Sequence, residues 1–238
     1  MQPPAFLHAA AHPLRWRLLT ELARSDRQVH ELTALLDQPQ SLVSYHLAKL
    51  RAAALVTARR SSADARDSYY RLDLERCGDL LASAGGALHP ALRLTRPALP
   101  ATARVSVLFL CTGNSSRSQM AEAMLRHTGS PASAFSAGSN PKPVSRYAVQ
   151  VLADRGIDIS AARSKHLDEF TGRRFDYVIT LCDEAQEACP IFPGVTDALH
   201  WSYDDPAAAE GTDVQRLEAF RRVYRQLDER IRTFARST

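Results

Sequence analysis

The chain has 238 residues, 45% of them hydrophobic, enough to bury a real core and as compatible with two domains as with one. It contains no run of about 18 apolar residues, which excludes a membrane-spanning helix. The formal net charge of +4 is unevenly placed: residues 1–100 hold 13 Lys and Arg against 9 Asp and Glu, while residues 101–238 hold 17 of each. The start, "MQPPAFLHAAAHPLRWRLL", lacks the charged-then-apolar layout of an export signal, which predicts a cytoplasmic protein whose thiols stay reduced. Cys77, Cys111, Cys182 and Cys189 therefore read as chemistry rather than as staples.

Taken in chain order, "FLHAAAHPLRWRLLTELA" has apolar residues at helical spacing, and "VHELTALLD" repeats the pattern before "QPQ" stops it. In "SLVSYHLAKLRAAALV" Ser41 is a plausible cap and Leu42, Val43, Leu47 and Leu50 share one face. The opposite face offers Ser41, Ser44, Tyr45 and Lys49. Two strand-like runs follow, "LVTARR" and "SYYRLDL", joined by the polar turn "SSADARD". Helix, short turn, helix and basic hairpin is the layout of a winged helix-turn-helix.

The string "QSLVSYHLAKLRAAALVTARR…DSYYRL", with Ser41, Ser44, His46, Leu47 and Leu50 in register, resembles the recognition helix and wing of the ArsR/SmtB repressors over roughly residues 5–80. The resemblance implies a double-stranded DNA operator as partner and a homodimer that reads two half-sites. Gln40, Ser41, Ser44, Tyr45 and His46 would face the DNA, with Arg59, Arg60, Arg66 and Arg71 of the wing on phosphates. The alternative is a helical docking module in which His46 is a packed core residue. Repressors of this family often hold arsenite through closely placed cysteines, yet "HELTALLDQPQSL" has none. Cys77 alone cannot build a soft three-thiolate site, so it reads as a packed helix residue and no metal site is expected.

Residues 78–103 begin as the end of a helix and pass into a Gly-, Ala- and Pro-rich stretch. The chain thus divides into a winged-helix domain at 1–84, a linker at 85–103 and a second domain at 104–238. There, strands "RVSVLFL", "ASAFSAG", "FDYVITL" and "DALHWSY" alternate with helices "SQMAEAMLRHT", "SRYAVQVLADRG" and a long closing helix. Such alternation predicts an α/β three-layer sandwich with a parallel sheet.

Cys111 stands at the carboxyl end of the first of these strands, where such sheets bind ligands. The loop Cys111, Thr112, Gly113, Asn114, Ser115, Ser116, Arg117, Ser118 enters a helix, so successive N–H groups can point at an oxyanion. The same positive end favours the thiolate, the nucleophilic form, and Arg117 offers a planar fork for a tetrahedral oxyanion. No Gly-Lys-Ser/Thr follows, so this is not a Walker loop.

"CTGNSSRSQMAEAM" closely resembles the phosphate-binding loop of the low-molecular-weight protein tyrosine phosphatases and the arsenate reductases that share their fold, over about residues 104–236. The resemblance makes Cys111 the nucleophile, Arg117 the oxyanion clamp, Asn114 the shaper of the loop and Ser118 a hydrogen-bond partner of the thiolate. It makes Asp205, before Pro206, the general acid, with Asp204 the lesser candidate. Cys182 and the Cys189-Pro190 pair resemble the resolving thiols of thioredoxin-coupled arsenate reductases, with no bound cofactor and thioredoxin as reductant. If residues 182–189 were helical, their Cα atoms would lie roughly 10 Å apart, beyond the ~7 Å limit of a disulfide. Cys182 and Cys189 can therefore pair only if the segment loops or unwinds, a step Pro190 and Pro193 make easier. The function implied is arsenate reduction fused to a repressor domain, with Cys111, Cys182 and Cys189 as the place where arsenite could also be sensed. The alternatives are a phosphatase, since phosphate and arsenate are near-isosteres, and an oxyanion-sensing regulator with little turnover.

Overall fold

The structure, a computed structural model, describes residues 4–89, 92, 105–188 and 195–237. The chain falls into two compact units, Met1–Pro97 and Ala98–Thr238.

The first unit opens with α1 (Ala5–Ala10) and α2 (Pro13–Arg24). The continuous helical pattern read from the sequence is broken at Pro13, which cannot donate into a preceding turn but suits the first position of a new one. His12 caps that start, its Nδ1 accepting from the Leu14 N–H at 3.2 Å. Helix α3 (Val29–Leu36) ends where Asp37 turns left-handed at φ 50°, and α4 (Gln40–Ala52) follows. Ser41 lies inside the first turn of α4 and makes no cap: the helix starts one residue earlier, after Pro39.

Helix α4 buries Val43, His46, Leu47 and Leu50, while Leu42, expected in the core, is 38% exposed. Burying each of its aliphatic side chains is worth about 1.5–3 kcal/mol, which fixes the rotation of α4 against α2 and α3. Strands β1 (Val56–Arg60) and β2 (Ser68–Leu72) form the antiparallel wing, from Val56 opposite Leu72 to Arg60 opposite Ser68. Arg27 adds an isolated antiparallel bridge to β2, exchanging both backbone hydrogen bonds with Tyr70. Helix α5 (Leu74–Leu88), capped by Asp73, runs four residues into the span expected to be linker. Most of that span lies outside the described residues. Cys77 packs in the core of this unit, and burial, aided by Asp73, pushes its thiol up to about 11.

The second unit holds a four-stranded sheet in the order β4-β3-β5-β6, every pair parallel. Its strands are β3 (Ser106–Cys111), β4 (Ser133–Gly138), β5 (Phe175–Thr180) and β6 (Val195–His200). Helices α6 (Arg117–His127), α7 (Arg146–Ala153), α8 (Asp183–Ala188) and α9 (Asp213–Ser237) complete it. Val107, Phe109 and Ile179 pack with residues of α6, α7 and α9. Leu108, Leu110 and Val178 form a second cluster with Phe170, from the 3-10 turn Leu167–Phe170. The chain leaves β3 toward β4 on one side and returns to β5 on the other, so the strand order reverses beside β3. In open parallel sheets that reversal opens a crevice at the strands' carboxyl ends.

The sequence pattern predicts the fourth strand at 197–203, but β6 stops at His200. Beyond it the Trp201 N–H donates to the Thr180 carbonyl, where β5 ends, and the buried residues Trp201, Ser202 and Tyr203 cross the carboxyl edge of the sheet outside any ladder. No described helix is long and apolar enough to cross a membrane.

Candidate functional site

The loop after β3 is shaped from outside. The carbonyls of Thr112, Gly113 and Ser115 accept from the backbone N–H groups of Asn140, Lys142 and Ser145 at 2.8–2.9 Å. That of Asn114 accepts from the Ser164 hydroxyl at 2.8 Å, and that of Ser116 from the Met120 N–H at 2.9 Å. With five successive carbonyls turned outward, the N–H edges between Thr112 and Ser118 are left to the concave side, a nest for an anion. Asn114 makes the sharpest bend, at φ 42°, a left-handed conformation Asn tolerates well.

Asn114 also sets the proton direction around Cys111. Its Oδ1 accepts from the Lys165 backbone N–H at 2.8 Å and from Gln119 Nε2 at 3.0 Å; the first can only donate, so the amide orientation is determined. The Asn114 Nδ2 then donates to the hydroxyls of Ser118 and Ser136, each at 2.9 Å. Ser118, already accepting, has its own hydrogen free for the Cys111 sulfur 2.9 Å away. Ser136 passes its hydrogen to Glu122 Oε2 at 2.5 Å, and Lys165 Nζ balances that carboxylate at 3.1 Å. A chain of hydrogen bonds, buried along most of its length, thus runs from a charged pair to the thiol.

Gly138 closes the other flank. A Cβ there would sit 2.5 Å from the Thr112 carbonyl oxygen and 2.8 Å from the Asn114 nitrogen, so any larger residue would push the loop out of shape.

Arg117 opens α6 and is 5% exposed. Its Nη1 donates to the Tyr203 carbonyl at 3.1 Å, and its Nη2 lies 3.5 Å from Asp205 Oδ1. Its Nε–H is buried with no hydrogen-bond partner among the described residues, a donor suited to an oxyanion. Burial works against the guanidinium charge, but the negative charges of Cys182 and Cys111, in their thiolate forms, and of Asp205 and Glu184 outweigh it and raise its pKa. Asp205 sits before the 3-10 turn Pro206–Ala208, where its carboxylate also accepts from the Ala207 N–H at 3.1 Å.

These groups line one cleft of about 230 Å³: Cys111 to Gly113, Ser115 to Arg117, Lys142, Glu184, Asp205 and Ala207. No aromatic ring lines it among the described residues. Lys142 and Glu184 are not anticipated by the sequence reading, because neither belongs to a recognisable pattern. Cys182 is fully buried just after β5, its sulfur 3.4 Å from the Thr112 hydroxyl. Burial raises its pKa, against the pull of Arg117. Helix α8 runs to Ala188, and Cys189, Pro190 and Pro193 lie outside the described residues.

In the first unit Gln40, Ser41, Ser44, Tyr45 and Lys49 are exposed on α4, with the Lys49 ammonium 5.4 Å from the centre of the Tyr45 ring. His46 was expected beside them and is not: it is 4% exposed, its ring 4.3 Å from that of His12. Burial, then His12 and Arg15, lowers its pKa. At i+3 from Val43 it falls on the apolar stripe, which the motif alone conceals. On the wing Arg60 and Arg66 are exposed, and Arg59 and Arg71 are half-buried. Arg66 pairs with Asp64 at 2.6 Å; that pair holds the Asp64 carboxyl down at about 2.

Comparison with known proteins divides the chain the same way. Residues 106–238 match the low molecular weight phosphotyrosine protein phosphatase family, and residues 12–58 the arsR family of bacterial regulatory proteins. An arsenate reductase of Halalkalibacterium halodurans is 43% identical over 130 residues, 54% of this chain and 94% of the relative. One from Bacillus subtilis is 38% identical over 130 residues, with the same shares of each chain. The solved arsenate reductase of Archaeoglobus fulgidus is 28% identical, covering 54% of this chain and 98% of its own at a TM-score of 0.46. The chain belongs to the low molecular weight phosphotyrosine protein phosphatase family and carries an arsR-family helix-turn-helix in front of that domain.

Proposed function

We propose that the second domain reduces arsenate to arsenite with Cys111, Cys182 and Cys189, that thioredoxin regenerates it, and that the first domain binds an operator as a homodimer. The observation that carries the redox reading is Cys182, a buried thiol against Thr112 of the anion nest, which phosphoester hydrolysis would not need.

Arsenate would lie in the nest with its oxygens on the loop amides and Arg117. The Cys111 thiolate attacks arsenic while Asp205 gives a proton to the departing hydroxide, which leaves as water. Cys182 then attacks the Cys111 sulfur. The sulfur–arsenic pair of electrons stays on arsenic, which leaves as arsenite, and Cys111–Cys182 becomes a disulfide. Cys189 attacks Cys182, frees Cys111 as thiolate, and the Cys182–Cys189 disulfide passes to the thioredoxin dithiol. The raised pKa of Cys182 keeps it a thiol at rest, so it gives up its proton during the second step.

The same nest and Asp205 would accept a small phosphate ester, so a weak phosphoesterase activity accompanies the reading. Oxidation of NADPH with arsenate, thioredoxin and its reductase, beside hydrolysis of a chromogenic phosphate ester, tests both. Arsenate-dependent oxidation is the expected result. Ester hydrolysis without it would make the domain a phosphatase, and neither activity would leave an oxyanion-sensing regulator.

A further inference from the structure

Two cations line the cleft around the anion nest, and they are held differently. Arg117 is buried, with Nη1 given to the Tyr203 carbonyl and Nη2 facing Asp205. Lys142, between β4 and α7, is exposed, and its ammonium makes no hydrogen bond or ion pair among the described residues. None of the chemistry above uses it.

The root of Lys142 is nevertheless fixed to the loop. Its N–H donates to the Gly113 carbonyl at 2.8 Å, and its own carbonyl accepts from the Ser164 hydroxyl at 2.5 Å. The stem of the side chain follows the loop as well: a Cβ placed on Gly113 would stand 3.7 Å from Lys142 Cδ and 3.8 Å from its Cγ. The ammonium is thus tethered at the rim of the cleft, while Cys111, 3% exposed, lies at its floor.

In-line attack from that floor puts the leaving oxygen on the far side of the central atom, facing the rim. In a free oxyanion this oxygen carries only a proton and can accept a hydrogen bond. In an ester it carries the organic group. Loop amides aside, the side chains of the cleft set Arg117 and Lys142 against the carboxylates of Asp205 and Glu184. Without Lys142 the carboxylates outnumber the cations, and a dianion entering beside a thiolate is repelled.

We propose that Lys142 determines specificity: its ammonium donates to the outward oxygen of an unesterified tetrahedral oxyanion, so that the site takes free arsenate or phosphate in preference to a phosphate monoester. This deepens the reading of the cleft as the arsenate site and rests on it. The cation supplied this way is solvated when the site is empty and needs no rearrangement of the nest.

The test measures binding of two anions to the full-length protein by titration calorimetry: inorganic phosphate, and methylphosphonate, in which a methyl group replaces the outward oxygen. Lys142→Gln should weaken phosphate about tenfold, the scale of one hydrogen bond to a charged group. Methylphosphonate should lose clearly less. Lys142→Arg, which keeps the charge, should recover most of the phosphate affinity. In the thioredoxin-coupled assay Lys142→Gln should raise the KM for arsenate by a similar factor, with a much smaller change in kcat. Equal losses for the two anions, a wild-type phosphate affinity in Lys142→Gln, or no recovery in Lys142→Arg would each overturn the proposal. If the wild type binds neither anion, the nest itself is misread and the role of Lys142 falls with it. Phosphate binding that depends on Lys142 in a protein that does not turn over arsenate would sink only the reductase reading.

Discussion

On α4 and the wing, the side chains proposed to meet DNA phosphates and bases, Gln40, Ser44, Tyr45 and Arg60 among them, stand exposed on a surface whose shape comes from the core beneath. Around Cys111 the arrangement is inverted: the anion is to be met by backbone N–H groups whose direction is set by buried side chains and by the 140–145 segment. Exposed groups of the first kind are individually replaceable, because each is solvated when idle and acts through charge or a single hydrogen bond. Donors fixed in a buried network are collective, because moving one disturbs the rest. Substitutions should therefore be graded in the first domain and steep in the second.

The largest effect is expected at the nucleophile. Cys111→Ser should reduce arsenate turnover and ester hydrolysis together to background, since both begin at that sulfur. Arg117→Lys keeps a charge but loses the fork shared between Tyr203, Asp205 and the ligand, and kcat/KM should fall by about 10²-fold or more. Gly138→Ala touches no ligand, yet its Cβ would meet the Thr112 carbonyl. It should cost about 1–3 kcal/mol in thermal or denaturant unfolding and weaken phosphate binding with it. Unchanged phosphate affinity in that variant would show that the nest does not depend on its flanking strand.

The smallest steps are expected on the wing. Arg59→Ala with Arg60→Ala should weaken duplex binding for all sequences and flatten the salt dependence, by about 0.9 in the log–log slope for each phosphate no longer neutralised. Arg66→Ala should do less, because Asp64 already occupies that guanidinium. A steeper loss from Arg66 than from the pair would reverse the ranking, and no duplex binding at low salt would refute an operator as the partner of the first domain.

The same contrast explains what can be read from sequence. Strand, loop and helix around Cys111 are legible because a nest needs contiguous residues, and contiguity is what a sequence displays. The wing and helix order are legible from period and turn residues. Gly138, Ser136, Glu122 and Lys165 are not, since they approach the loop and its thiol from β4, from one turn further along α6 and from the 164–166 segment; only the polar Gln119 and Glu122 on a buried helix face hint at them. The helix break at Pro13 follows from proline chemistry but is masked in the pattern, because the apolar spacing continues across it. The motif places His46 on the DNA face while its own helical register places it inside, and the register wins. Ser41 resembles a cap because a serine near a helix start often is one, but here proline already marks the boundary.

In the proposed cycle Cys182 takes over from Cys111 in a redox step that ester hydrolysis lacks. The most direct measurement compares Cys182→Ser with wild type in both reactions under the same conditions. In the variant, arsenate-dependent NADPH oxidation through thioredoxin should stop while hydrolysis of the chromogenic phosphate ester continues at a rate close to wild type. Continued arsenate turnover by Cys182→Ser would contradict it.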